Sequence, residues 1–234
     1  MSTIKIMTFN TQHCLNYIER RIDFPLMAKT VRDLNADVVG LNEMRGDGPD
    51  PEYTPQTEAL SAMSKLHHYF FAPAIRLEEG LYGNGLISRI PIVERQVIPV
   101  PPPFPNPNNV YYENRCLLRA VLENGLTVLV IHFGLTPVEA ENAVRTVLPF
   151  INKEKTVLMG DFNVTPDDPV LAPIRERMTD TAELFSSPLL SFPSDAPDRK
   201  IDYIFVSRDL KVLSADIPPV VASDHRPCVA QIEL

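Results

Sequence analysis

Six short polar segments stand at the ends of apolar runs in this sequence. Together they hold acids, amides and imidazoles that could carry out a reaction. Four of the segments close an apolar run and two open one. In chain order they are Thr8-Phe9-Asn10, Leu41-Asn42-Glu43, Ile131-His132, Gly160-Asp161-Phe162-Asn163, Asp202 before Tyr203-Ile204-Phe205-Val206, and Ser223-Asp224-His225 before Cys228-Val229-Ala230. A buried carboxylate without a partner is costly, so these acids require a cation or a partner such as His225.

The apolar runs predict strands, and the directions of those strands decide whether the polar ends meet. If the two runs that open with a polar residue lie antiparallel to the four that close with one, all six polar ends meet at one rim. Binding sites favour strand ends. Most positions on both faces of these strands are apolar. This indicates sheets covered by helices on one face and by a second sheet on the other.

Hydrophobic periodicity and turn signals predict the remaining elements. Helices are predicted at residues 24–34, 55–68, 137–151 and 168–178, the last of them kinked or broken by Pro173. Asn124-Gly125 predicts a tight hairpin. Strands are predicted at 4–10, 37–43, 69–75, 86–88, 93–100, 116–122, 126–133, 156–162, 201–207, 212–217 and 228–234. No linker or repeat interrupts the sequence, so we expect one domain over residues 1–234.

Seven motifs resemble those of the endonuclease/exonuclease/phosphatase superfamily, and they occur in that family's order. They are Thr8-Phe9-Asn10, Asn42-Glu43, Gly83-Asn84-Gly85-Leu86-Ile87-Ser88-Arg89, Ile131-His132, Gly160-Asp161-Phe162-Asn163, Ile201-Asp202-Tyr203-Ile204 and Ser223-Asp224-His225-Arg226-Pro227. Either Gly-Asp-Phe-Asn or Ser-Asp-His alone would be a weak signal. All seven in order, spanning residues 8–227, make the resemblance specific.

The resemblance implies both a fold and a metal. The fold is α/β, a four-layer αββα sandwich in which two mixed β-sheets pack face to face with helices outside. The activity is that of a Mg²⁺-dependent phosphohydrolase, with Mn²⁺ as an alternative ion. Glu43 and Asn10 resemble the principal metal site, with Asp224 nearby. Mg²⁺ suits such a site because it takes oxygen ligands and keeps several waters.

The resemblance also implies roles in catalysis. His225 resembles the general base, and Asp202 resembles the carboxylate that holds this base and makes it more basic. Asp161 would orient the attacking water or protonate the leaving oxygen. The residues that match positions near the substrate phosphate are His132, Asn163, Asn84 and Arg115. The neighbouring Glu113 leaves open that Arg115 only forms a salt bridge.

Charge and composition restrict the substrates and the location. The chain has 22 Lys and Arg against 30 Asp and Glu, a net charge of −8. A duplex-binding protein usually needs a basic face to displace counterions, so this balance argues against a processive duplex nuclease. The 3 cysteines are too few and scattered for a disulfide framework. No leader pattern and no run of about 18 apolar residues occurs, so we expect a cytoplasmic monomer without a transmembrane segment.

We therefore expect hydrolysis of a phosphodiester by a His-activated water. The substrate, whether nucleic acid, nucleotide or lipid headgroup, stays open. The alternatives are a phosphomonoesterase, a phospholipid or sphingomyelin-type phosphodiesterase of the same fold, and a catalytically silent binding module. Two loops are predicted to select the substrate, residues 101–109 with Val110-Tyr111-Tyr112 after them, and residues 186–200 with Leu189, Leu190 and Phe192.

Overall fold

Two mixed β-sheets of six strands each form the centre of the computed structural model, which describes residues 2–107, 109–184 and 189–234. The strands are β1 Thr3–Asn10, β2 Val38–Arg45, β3 His68–Arg76, β4 Leu81–Ser88, β5 Ile92–Val100, β6 Arg115–Leu122, β7 Thr127–His132, β8 Thr156–Asp161, β9 Met178–Asp180, β10 Asp202–Ser207, β11 Lys211–Asp216 and β12 Cys228–Glu233. Sheet I has the order β11-β12-β1-β2-β4-β3, and sheet II the order β5-β6-β7-β8-β10-β9.

Helices cover the outer face of each sheet. They are α1 Phe24–Asp33 and α2 Gln56–Ser64 on sheet I, and α3 Pro137–Val147 and the single turn α4 Ala172–Arg175 on sheet II. The side chain of Asp23 caps α1 by accepting from the Leu26 amide. Thr136 and Glu139 form a capping box at the start of α3. Among the described residues, no helix is long and apolar enough to cross a membrane.

Alternation along each strand divides the buried side chains into three apolar layers. Ile6 of β1 packs between the sheets, whereas its neighbour Met7 packs beneath the helices of sheet I. In sheet II, Val130 of β7 likewise points to the inter-sheet layer and Leu129 points towards α3. Both faces of the central strands are therefore apolar. The four-layer αββα sandwich is confirmed.

The strand directions bring the polar strand ends to one rim, as predicted. β1 is parallel to β2, and β7 is parallel to β8 with His132 beside Asp161. β10 is antiparallel to β8, so Asp202 at its start lies opposite Asp161 at the end of β8. β12 is antiparallel to β1, and its preceding segment carries His225 to the same end.

Several predicted boundaries were wrong. Helix α2 ends at Ser64 because Lys65 adopts a left-handed conformation, and β3 then begins at His68. Strand β4 begins at Leu81, five residues before the predicted start. The helix over 168–178 is broken, as predicted, into a 3₁₀ turn and α4, but it ends before its predicted last residue, Met178, which begins β9. Prolines 169 and 173 each remove a backbone donor, which explains the break.

The hairpin at Asn124-Gly125 and the absence of a disulfide framework agree with the sequence. Strands β6 and β7 pair antiparallel on either side of the turn. Cys14, Cys116 and Cys228 are buried free thiols. Asn108 and residues 186–188, which belong to the two predicted substrate-selecting loops, lie outside the described residues.

Gly160 should be essential for placing Asp161. It has φ +145°, and a Cβ there would lie 1.8 Å from the Ile131 carbonyl oxygen on the adjacent strand. We expect Gly160→Ala to lower the free energy of unfolding, measured by urea denaturation, by more than about 3 kcal/mol. The matched control is Gly125→Ala, at φ +85° with no atom within 4 Å of the new methyl group. This control should lower the free energy of unfolding by only about 1 kcal/mol, because it adds backbone strain but no steric clash. Equal losses at both sites would contradict the steric argument.

Candidate active site

A cavity of about 480 Å³ opens at the rim where the polar strand ends meet. Among its lining residues are six of the predicted catalytic, phosphate-binding and metal-binding residues: Glu43, Arg115, His132, Asp161, Asn163 and His225. The other lining residues are Tyr82, Glu113, Leu135, Thr165, Phe192, Arg199 and Ile201. Glu43 from sheet I and His225 from the segment before β12 thus face the same space.

His225 is held by a carboxylate on one side and an aromatic ring on its face. Its Nδ1–H donates to Oδ2 of Asp202 over 2.8 Å, and the Phe192 ring centroid lies 4.8 Å from the imidazole centroid. Burial lowers the pKa of His225, but the nearby carboxylates of Asp202 and Asp161 outweigh it and raise that pKa to about 10. The imidazole is therefore locked in one orientation, with Nε2 left for the cavity.

Asp161 lies at the centre of the site and is almost completely buried. Its Oδ2 is 3.6 Å from Nε2 of His225 and 3.5 Å from Nε2 of His132, and its Oδ1 accepts from the Asn163 amide over 2.9 Å. Burial raises the pKa of Asp161 to about 7; His225 opposes this rise and Asp202 adds to it. A carboxyl group with such a pKa can hold a proton and release it near neutral pH.

Asn10 joins the carboxylates of the two sheets. Its Nδ2 donates to Oε1 of Glu43 and to Oδ2 of Asp161, each over 3.0 Å. Its Oδ1 accepts from the backbone amide of Gln12 over 3.1 Å. The amide nitrogen of Asn10 therefore faces the acids. An amide oxygen has two lone pairs, so the bond from Gln12 leaves one of them for a cation.

His132, Arg115 and Glu113 form a chain of contacts along one wall of the cavity. Nη1 of Arg115 donates to Nδ1 of His132 over 2.9 Å and lies 2.6 Å from Oε1 of Glu113. Burial lowers the pKa of His132 well below its usual value, and Arg115 adds to this effect. Because a guanidinium can only donate, neutral His132 accepts at Nδ1 and carries its proton on Nε2. His132 thus presents an N–H to the cavity near Asp161.

Asn163 and Glu43 both have left-handed backbone conformations, with φ +52° and +61°. The side chain of Asn163 donates to the Phe133 carbonyl over 3.0 Å, and its Nδ2 lies 3.2 Å from Nε2 of His132. Left-handed non-glycine residues carry strain that persists only where the surroundings hold it, and they cluster at functional sites.

Four predicted site residues do not line this cavity: Asn10, Asn84, Asp202 and Asp224. Asn84 is buried behind it and donates to the Cys116 carbonyl over 2.9 Å, so the structure places it between the sheets. Asp202 lies behind His225. Asp224 is half-buried and accepts from the Ser223 hydroxyl over 3.0 Å.

The donor set fits a divalent cation that prefers oxygen. Glu43 and Asp161 approach one amide nitrogen, and the ligand atoms of Asp161, Asp202 and His225 all lie within 4.8 Å of one another. In addition, the buried Oδ1 of Asp202 has no hydrogen-bond partner among the described residues. Concentrated, incompletely paired carboxylates are costly to bury without positive charge. Of these carboxylates, Glu43 and Asp161 line the cavity, and Glu43 is the more exposed of the two.

The sequence pattern does not predict Tyr82 and Asn42 as site residues, and it predicts Glu113 only as a salt-bridge partner of Arg115. Tyr82 lines the cavity beside Glu43. Burial and then the charge of Glu43 raise the pKa of its hydroxyl. Alternation was the available signal, because Tyr82 lies two residues before Asn84 on the same strand. Asn42 bridges the sheets by donating to the Ile131 carbonyl over 3.0 Å and accepting from the Asp161 amide over 3.0 Å.

Comparisons with known proteins agree with this arrangement. The sequence model of the Endonuclease/Exonuclease/phosphatase family matches residues 7–225. The chain is 25% identical to the Escherichia coli protein named Uncharacterized protein YbhP, over 99% of this chain and 97% of that protein. It is also 25% identical to an endonuclease/exonuclease/phosphatase from Beutenbergia cavernae, with a TM-score of 0.79 over 100% of this chain and 72% of that one.

Two further solved structures share the fold at lower identity. The Bacteroides thetaiotaomicron mannosyl-6-phosphatase Bt3783 has a TM-score of 0.75 at 14% identity, over 99% of this chain and 100% of that one. Danio rerio TDP2, solved with a single-strand DNA product, has a TM-score of 0.68 at 15% identity, over 100% of both chains. At these identities the likeness concerns the fold alone.

Removing the charge of Asp202 should lower the pKa of His225. We expect Asp202→Asn to shift that pKa down by more than about one unit, because the carboxylate that stabilises the imidazolium is lost. NMR titration of the imidazole signals in EDTA measures the shift. Asp224→Asn is the matched control, since Asp224 contributes least of the carboxylates that raise this pKa. An equal shift in both variants would contradict the conclusion that Asp202 is the carboxylate that stabilises protonated His225.

The same pKa predicts how stability depends on pH. His225 titrates near pH 10 in the folded protein and near 6.5 when unfolded. Its protonated form therefore stabilises the fold fully below about pH 6.5, and this contribution is lost as the pH rises towards 10. In EDTA, the unfolding free energy of the wild type should fall across this interval, and Asp202→Asn should flatten the decline.

Proposed function

This chain belongs to the endonuclease/exonuclease/phosphatase family, and we propose that it is a Mg²⁺-dependent phosphoesterase that hydrolyses a phosphodiester, with Mn²⁺ as an alternative ion. The observation that carries the proposal is the single cavity onto which Glu43, Asp161 and His225 all open, with Asp202 bonded behind His225. A water molecule in that cavity would lie near the base His225, and a phosphate group would lie near the hydrogen-bond donors of the cavity wall.

Glu43 would hold the divalent ion, with Asn10 as a second ligand once its amide turns so that Oδ1 rather than Nδ2 faces Glu43. Asp224 would act from outside the cavity through its charge, which raises the pKa of His225. When bound, the ion would draw negative charge from a non-bridging phosphate oxygen and so reduce the repulsion that a phosphodiester exerts on a nucleophile.

His225 would accept the proton of the attacking water at Nε2. Asp202 keeps the Nδ1 proton in place, which leaves Nε2 as the basic nitrogen, and stabilises the imidazolium that forms. In the free protein the pKa of about 10 favours imidazolium at neutral pH. Positive charge at Glu43 would lower that pKa and so raise the fraction of His225 that is present as the uncharged base.

Asp161 would supply the proton that the leaving oxygen needs. Its pKa of about 7 allows a protonated carboxyl near neutral pH, and it lies beside Nε2 of both histidines. Around it, the N–H groups of His132 and Asn163 and the guanidinium of Arg115 are the donors that would bind phosphoryl oxygens. The chemistry is therefore divided among a base, an acid and a set of donors that stay in place.

The dimensions and charge of the cavity favour a small or single-stranded diester. Its volume of about 480 Å³ suits a ligand the size of a nucleotide. The net charge of −8 is unfavourable for duplex nucleic acid. Leu135, Phe192 and Ile201 supply apolar lining against which a base or another apolar leaving group could pack.

Hydrolysis of bis(p-nitrophenyl) phosphate tests the proposed activity. We expect turnover in Mg²⁺ that EDTA abolishes, and a loss of at least about 100-fold in kcat for His225→Ala and for Asp161→Asn. The matched controls are His67→Ala and Asp33→Asn, exposed residues outside the cavity lining, which should retain wild-type kcat. Activity that survives both site substitutions would overturn the assignment.

The proposed metal site predicts a change that does not depend on turnover. Addition of Mg²⁺ should lower the pKa of His225 by about one unit or more, because a nearby cation disfavours imidazolium. NMR titration with and without Mg²⁺ measures the change. Glu43→Gln should abolish it, whereas Glu141→Gln on the exposed face of α3 should not. The same Mg²⁺ effect in Glu43→Gln would place the ion elsewhere.

A further inference from the structure

Glu113 is an acid in the wall of a cavity that must accept an anion. It lines the cavity together with Glu43 and Asp161, and it lies in the segment just before β6. None of the hydrolytic steps assigned above uses it. An acidic side chain next to a phosphate site weakens anion binding in general, so its position calls for a function.

The guanidinium of Arg115 contacts both Glu113 and His132 in the wall of the cavity. Nη1 of Arg115 contacts Glu113 over 2.6 Å and His132 over 2.9 Å, and the Arg115 side chain is 12% exposed. The second arginine of the cavity lining, Arg199, is half exposed and is paired with Asp198 over 2.7 Å. The more buried cation of the lining is thus already neutralised by Glu113.

We propose that Glu113 is a specificity-determining residue that selects phosphodiester monoanions over phosphomonoester dianions. The inference rests on the proposed function and names the substrate charge that the same site prefers. A phosphoryl group that reaches Arg115 shares this guanidinium with Glu113. A monoanion brings one negative charge towards the carboxylate, whereas a dianion brings two and is repelled about twice as strongly.

The charges of the whole lining lead to the same preference. Glu43, Glu113 and Asp161 carry three carboxyl groups, and Arg115 and Arg199 carry two guanidiniums. His132 is neutral, and the paired Asp202 and His225 add no net charge. When a divalent ion is bound, the charge of Glu113 lowers the net positive charge of the lining by one, which favours a substrate with one negative charge over a substrate with two.

Two esters with the same leaving group test the selection. p-Nitrophenyl phosphate is a dianion well above its second pKa of about 6, whereas methyl p-nitrophenyl phosphate keeps one charge. Glu113→Gln removes the charge and retains an oxygen that can accept from Arg115. We expect it to raise kcat/KM for the monoester relative to the diester by about tenfold over wild type. Glu113→Asp retains the charge and should retain the diester preference. Glu141→Gln, a charge change away from the cavity, should leave the ratio unchanged.

Binding without turnover provides an independent measurement. In EDTA at mildly alkaline pH, inorganic phosphate is a dianion and dimethyl phosphate a monoanion, and the NMR signals of His132 and His225 report their binding. Glu113→Gln should tighten phosphate by about tenfold and leave dimethyl phosphate nearly unchanged. If the wild type hydrolyses neither ester in Mg²⁺ or Mn²⁺, the proposed function fails. The binding comparison still tests whether Glu113 disfavours dianions relative to monoanions.

Three results would overturn the inference. The first is an ester ratio in Glu113→Gln within about twofold of wild type. The second is an equal loss on both esters, which would make Glu113 only a support for Arg115. The third is an unchanged ratio with a raised Mg²⁺ requirement, which would make Glu113 a ligand of the ion.

Discussion

The candidate site depends on hydrogen bonds that three buried asparagines of sheet I make across to sheet II. Asn10 donates to the Asp161 carboxylate, Asn42 to the Ile131 carbonyl and Asn84 to the Cys116 carbonyl. Elsewhere, apolar side chains fill the space between the sheets, and such contacts are not directional. A buried amide without a partner is costly, so these bonds restrict how the sheets can shift at the rim. Glu43 and Asp161 keep their separation only if that restriction holds.

The electrostatics of the site follow from the same burial. Asp161 and His225 are both buried, and each is stabilised in its charged form by the other. Burial raises the pKa of the acid, whereas the surrounding carboxylates raise that of the base, so a proton near them is shared by the cluster. A cation bound to Glu43 would act on both groups at once. The left-handed backbone of Glu43 is part of this arrangement, because it aims the carboxylate where Asn10 donates to it.

The fold positions the chemistry but does not determine the substrate. Structural neighbours at 14% and 15% identity include a mannosyl-6-phosphatase and a protein solved with a single-strand DNA product. In this chain, most cavity residues outside the proposed hydrolytic set lie on connecting segments. Glu113 precedes β6, and Phe192 belongs to the segment before β10. Loops vary without disturbing the sheets, so their side chains are the natural place for selectivity.

The sequence by itself determined the layers and the polar strand ends, because alternation along a strand is a local property that each segment carries alone. It also indicated that Asp202 and His225 would meet the earlier acids, because both precede a strand whereas the acids follow one. Only the tertiary structure decided that Asn84 lies between the sheets, that Glu113 and Tyr82 enter the cavity, and that residues from Met178 form a strand. These outcomes depend on sheet spacing and on the paths of loops, which arise from packing between residues far apart in the chain.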